Sequence, residues 1–128
     1  MADPIVFIST FQLRDARRAE FDGMFAKAVE LIGATKPRTA LYAAYADRSS
    51  SRLRVVHAFP DAAAIEAHFE GSDERSQSVA DVIVPAGFAL YGPAPKAVRE
   101  QLRGESAETG VTFEELPDSL GGFLRASG

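Results

Sequence analysis

The chain contains no cysteine, which excludes disulfides, thiolate metal sites and cysteine nucleophiles and fits a reducing, cytoplasmic setting. Long apolar runs are also missing. Nothing approaches the roughly 20 consecutive apolar residues that span a bilayer. Met1-Ala2-Asp3-Pro4 has neither the basic start nor the apolar stretch of a signal peptide, so no membrane association is expected. Basic residues are outnumbered, 14 Lys and Arg against 18 Asp and Glu, for a net charge of −4. Such a chain has no bulk attraction for nucleic acid or anionic lipid, and the groups Arg14/Arg17/Arg18 and Arg52/Arg54 read as solvated faces or ion-pair partners. Histidine is scarce: there are two, with no His-xxx-His or His-Glu-xx-His spacing, so no metal is expected. The absence of a Gly-x-Ser-x-Gly elbow and of a phosphate-cradling glycine loop sets aside hydrolases and kinases.

What is present suits one globular domain: 128 residues, 46% of them apolar and 25% charged. Ile5 to Phe11 is rich in β-branched and aromatic residues on both parities, the pattern of a strand covered on both faces. Asp15 offers a helix N-cap. Phe21, Met24, Phe25, Ala28, Leu31 and Ile32 then recur at spacings of three and four and predict a long amphipathic helix, with Gly33 as its stop and Pro37 as a barrier to continuation. Thr39–Ala46 and Leu53–Phe59 read as strands on either side of the polar turn Asp47–Ser51, a hairpin. Asp61 can cap a second helix carrying Ile65 and Phe69. Asp73 is a candidate cap for a further helical segment through Val79 and Ile83, ended by Pro85. Gly87–Tyr91 reads as a fourth strand.

Strand, helix, strand, strand, helix, strand is the split βαβ order of an α+β, ferredoxin-like domain: an antiparallel sheet with both helices on one side. The uncovered face would still present Ile, Val, Phe or Leu from several strands. A large open apolar surface implies a partner, most simply a second copy across a two-fold axis, so a homodimer is expected. Residues 1–93 form this domain. Residues 94–128 read as an extension, with a short helix over Pro95–Arg103, a connector over Gly104–Gly110 and an added strand at Val111–Phe113. Leu116–Leu124 is too apolar for a free tail and is expected to dock on its own domain or on the partner's.

The strand Pro4–Phe11, the helix Asp15–Ile32, the hairpin Leu41–Phe59 and the segment Phe59-Pro60-Asp61-Ala62 through Ile65-Glu66-Ala67-His68-Phe69 into Gly87–Gly92 together resemble the antibiotic-biosynthesis-monooxygenase family. The resemblance covers residues 4 to about 93 and rests on element order. It implies a dimeric α+β barrel with a pocket between sheet and helices in each subunit. It also implies an activity among those of the family, which include cofactor-free oxygenation of quinols and anthrone-like polyketides, and haem degradation. Haem-degrading members and the best-studied polyketide oxygenases use Asn and Trp in the pocket, and this chain has neither. That argues against haem degradation and leaves a histidine on the second helix, His68, as the matching residue.

His57 lies in the apolar strand segment Val55–Phe59, and His68 lies at the edge of the Ile65/Phe69 stripe. These are the side chains whose unperturbed pKa values fall near neutrality, and either can act as general base toward a phenolic substrate. The expected site therefore comprises His57 or His68 as base among the pocket aromatics Phe7, Tyr42, Tyr45, Phe69 and Phe88. The base deprotonates a quinol or anthrone that then reacts with O₂, with no cofactor required. The plainer reading makes both histidines hydrogen-bonded core residues of a non-catalytic dimeric domain that binds a small apolar ligand or a protein. An isomerase or cyclase using the same base is a third.

Overall fold

A computed structural model describes residues 3–49, 51–71 and 79–125. Among these the elements run β1 (Ile5–Leu13), α1 (Arg18–Thr35), β2 (Leu41–Ala46), β3 (Arg52–Phe59), α2 (Ala62–Phe69), β4 (Ile83–Tyr91), α3 (Lys96–Thr109) and β5 (Thr112–Leu116). The sheet order is β2-β3-β1-β4-β5. The first four strands are antiparallel neighbours, the ferredoxin-like arrangement, and β5 adds to β4 in parallel. The fold is α+β, with an open sheet in the single chain.

Several local signals resolve differently from the sequence reading. Asp15 does not cap α1: it and Ala16 form a turn with φ of 47° and 54°, and the helix starts two residues later behind Arg17, whose guanidinium grips Glu20 and the Asp81 carbonyl. Gly33 does not end α1 either. The helix runs to Thr35, and Gly33 does not take the left-handed conformation that would make glycine a terminator. Ile83 and Pro85 belong to β4 rather than to a helix, while Asp73 lies outside the described residues. Pro85 is tolerated because it sits opposite Phe11, where the β1–β4 register slips, beyond the stretch of β4 that β5 covers. The supposed connector Gly104–Gly110 is helical as far as Thr109, and Gly110 (φ 70°) terminates α3 in the left-handed conformation.

Alternation sorts each strand onto two faces. Ile5, Phe7 and Ser9 of β1, Leu53, Val55, His57 and Phe59 of β3, and Phe88 and Leu90 of β4 are all buried on the face that carries the helices. Ile65 of α2 and Val98 and Leu102 of α3 join Ile5, Phe7, Phe59, Phe88 and Leu90 in one core; Phe21, Leu53, Val82 and Ile83 form a second. The helix α1 is anchored near its ends by Phe21 and Ile32, about 16 Å apart along its axis. Met24 and Phe25 pack against the second core, while Ala28 and Leu31 line the space between helix and sheet.

The opposite sheet face carries no helix among the described residues. Three cross-sheet rows can be followed on it through the pairing: Leu41–Ala58–Val6–Tyr91–Leu116, Ala43–Val56–Ile8–Ala89–Glu114, and Tyr45–Arg54–Thr10–Gly87–Thr112. Its centre is aliphatic, and Leu41, Tyr45 and Leu116 at its edges are well exposed. No helix among the described residues is long and apolar enough to cross a membrane.

Candidate active site

The gap beneath α1 is a cleft of about 990 Å³, at the upper end of the roughly 300–1,000 Å³ typical of small-molecule sites. Phe7, Ser9, Val55 and His57 form its floor, and Met24, Phe25, Ala28 and Leu31 of α1 its roof. His68 and Phe69 close one end, and Gln101, Leu102, Glu105, Glu108 and Thr109 of α3 form a wall.

Both histidines are inside it and buried, 5% and 4% exposed. His57 is placed by strand pairing: it lies opposite Phe7, and its Nδ1 is 3.0 Å from the Phe7 carbonyl oxygen. A carbonyl only accepts, so Nδ1–H donates, and in the neutral ring Nε2 is left as the basic nitrogen. His68 is placed by α2, whose first turn is capped by the Asp61 carboxylate accepting from the Ala64 N–H at 2.9 Å. The same carboxylate pairs with Arg38, and the neighbouring Thr39 brings its hydroxyl to 2.8 Å from His68 Nδ1. The hydrogen bond from the Ala64 N–H, with Arg38 beside it, holds the Asp61 carboxyl below its ordinary value. The two imidazoles meet edge to face with centroids 5.0 Å apart. Tyr42 packs against both, Phe7 stacks on His57 at 4.9 Å, and Phe69 and Phe88 lie against Phe7.

The structure thus gathers His57, His68, Phe7, Tyr42, Phe69 and Phe88 around one cavity. Tyr45 is outside it. Neighbouring residues of β2 face opposite ways, so with Tyr42 turned inward Tyr45 projects from the sheet edge, 62% exposed, beside a groove of about 290 Å³ with Arg18 and Asp22. Sequence reasoning missed Thr39, which carries no signal of its own, and the α3 wall. The spacing of Val98, Leu102 and Ser106 marks one face of α3, but Gly104 disguised it as a linker. Among the described residues no group of three or more His, Cys, Asp or Glu side chains converges as a metal site.

This architecture has close counterparts among solved structures. MupZ from Pseudomonas fluorescens superposes with a TM-score of 0.69 at 16% identity, over 94% of this chain and 91% of that one. SnoaB, a cofactor-independent oxygenase from Streptomyces nogalater, matches with a TM-score of 0.59 at 18% identity over 70% of this chain and 92% of its own. A candidate antibiotic biosynthesis monooxygenase from Caulobacter crescentus also gives 0.59, at 15% identity, over 70% and 86%. The fold is that of the antibiotic biosynthesis monooxygenases. No protein family and no curated protein matches at the level of sequence. At these identities the likeness is one of fold, and any chemistry has to be argued from the cleft itself.

Proposed function

We propose that this protein is a cofactor-independent monooxygenase of an aromatic, quinol- or anthrone-like metabolite, working as a cytoplasmic homodimer. The observation that carries the reading is the pair of buried histidines side by side in an aromatic-lined cleft large enough for a polycyclic phenol. The likeness in fold to SnoaB supports the same class.

In this reading the substrate stacks among Phe7, Tyr42, Phe69 and Phe88. His57 or His68 takes its acidic proton, in a cleft whose aromatic and aliphatic floor and roof hold the reacting atoms in place. The resulting carbanion reduces O₂, and a C–O bond forms to give a hydroperoxide. The imidazolium supplies the proton of that hydroperoxide. The histidine then takes the second proton from the same carbon, the C–H electron pair forms the carbonyl as the O–O bond breaks, and the departing hydroxide takes up that proton. One oxygen atom stays as a carbonyl and the other leaves as water, so the substrate carbon loses four electrons and O₂ gains them.

Oxygen uptake by the metal-stripped protein with a panel of hydroquinones and anthrones tests the proposal. Uptake above the autoxidation blank, with one water formed per O₂, is the expected result. Substrate conversion without uptake would replace it by the isomerase or cyclase reading, which the same base and cleft would serve. Binding without conversion would leave a ligand-binding domain.

A further inference from the structure

The segment after β5 holds Leu120, completely exposed, and Phe123, 74% exposed with the Arg125 guanidinium over its ring. No hydrogen bond ties 117–125 to the rest of the described residues; the Gly121 N–H bonds only to Ser119 Oγ. The shape is nonetheless encoded, because Gly121 and Gly122 take φ of 128° and 140°, a conformation closed to L side chains. Among the described residues, Leu120 on this glycine-shaped arm is left fully exposed, and the recorded contact of the Phe123 ring is with Arg125 of the arm itself.

The same chain carries a surface for them. The helix-free face spans five strands and three rows, about 24 Å by 20 Å and so on the order of 500 Å². That is short of the roughly 800 Å² per partner that a stable pair buries. Its charges are laterally segregated: Arg54 lies on the β3 side and Glu114 on the β5 side. A two-fold axis running along the strands sets β5 of one copy over β2 of the other, and β4 over β3. Strand level is preserved by that rotation. Leu116 and Leu41 end the same cross-sheet row, so each Leu116 meets the partner's Leu41, and Glu114 comes near the partner's Arg54. The arm leaves β5 at Leu116, over the partner's β2 edge, and nine extended residues reach about 30 Å.

We infer that 117–125 is a clasp: in a pair of copies stacked sheet to sheet, Leu120 and Phe123 of each seat on the other's β2 edge beside Leu41 and Tyr45. This rests on the two-copy assembly proposed above and supplies the area that the sheet face lacks.

The test uses the full chain. Sedimentation over a dilution series should show a pair for the unaltered protein, and a dissociation constant raised at least ~10-fold for the Leu120→Ser/Phe123→Ser double variant, from the loss of two buried apolar side chains per copy. The variant should keep its far-ultraviolet circular dichroism, since both positions are exposed. In parallel, Phe123→p-benzoylphenylalanine in a mixture of isotopically light and heavy protein should give light–heavy crosslinks to Leu41–Ala46. A double variant that pairs as tightly as the unaltered protein, or crosslinks confined to one chain, would overturn the clasp while leaving the pair standing. An unaltered protein that is monomeric at micromolar concentration would remove both.

Discussion

His57 and His68 are held by unlike neighbours, and that difference separates their expected behaviour. His57 has its tautomer set by a backbone carbonyl, which no side-chain substitution removes. His68 depends on the Thr39 hydroxyl. We expect His57→Ala and His68→Ala to fold, and loss of the true base to lower the rate by ~10²–10⁴-fold. Thr39→Val should cost about tenfold, the worth of one hydrogen bond, and should displace the pH–rate profile. Thr39→Ser should restore both. An unshifted profile in Thr39→Val, measured over pH 5–9, would make Thr39 a mere packing residue. A second residue-scale prediction concerns Tyr91, whose phenol donates to Glu114 on the open sheet face. That hydrogen bond, with partial burial, raises the Tyr91 pKa above 10.0 in the folded chain. The protonated form is the one that folding favours. Its stabilisation is therefore fully present below the ordinary tyrosine value and is lost as pH rises through the folded one. Thermal melts from pH 7 to 12 should show Tyr91→Phe less stable than the parent at neutral pH, with the gap closing in strong alkali.

Among the elements, the β4–α3 junction depends on Gly92. Its φ is 104°, its N–H donates to the Leu116 carbonyl at 2.9 Å, and a Cβ there would come within 2.8 Å of the Pro4 carbonyl oxygen. A backbone oxygen at the entry to β1 cannot yield as a side chain would, so Gly92→Ala should destabilise the fold by about 1–3 kcal/mol, measured by urea unfolding. The start of α2 was legible from sequence to the residue: Pro60 follows the end of β3 and Asp61 caps the helix, because both signals act within one turn of backbone. Asp61→Ala should lower the melting temperature, and Asp61→Ser should recover most of it. Helix α3 was half legible. Propensity marks Gly104 as a break, but Val98 and Leu102 bury against Phe88 and Leu90, and that tertiary contact outweighs a penalty of about 1 kcal/mol for one interior glycine.

For the whole molecule, the decisive feature is a cavity lined by residues of two separate cores and roofed by α1. Filling it should be cheap for the fold and costly for the ligand. Ala28→Trp, on the α1 roof, should leave the melting temperature unchanged or raised while weakening binding of an anthrone by tenfold or more in a fluorescence titration. A variant that binds normally would place the ligand elsewhere. The aliphatic centre of the open face, alternating with a buried inner face, has the opposite logic: it is surface that one copy alone leaves uncovered.

By itself the sequence determined the alternation of strands, the register-free order βαββαβ, the α2 cap, and which residue types were available for chemistry: two histidines and a set of aromatics, without thiols. These are local or compositional properties, carried by spacings of two to four residues. Only the tertiary structure decided that His57 and His68, eleven positions apart on a strand and a helix, have rings 5.0 Å apart, that Thr39 joins them, that Tyr45 does not, and that α3 walls the cleft. Those outcomes depend on how far α1 stands from the sheet and on which way each strand residue faces, both of which are set by packing between segments distant along the chain.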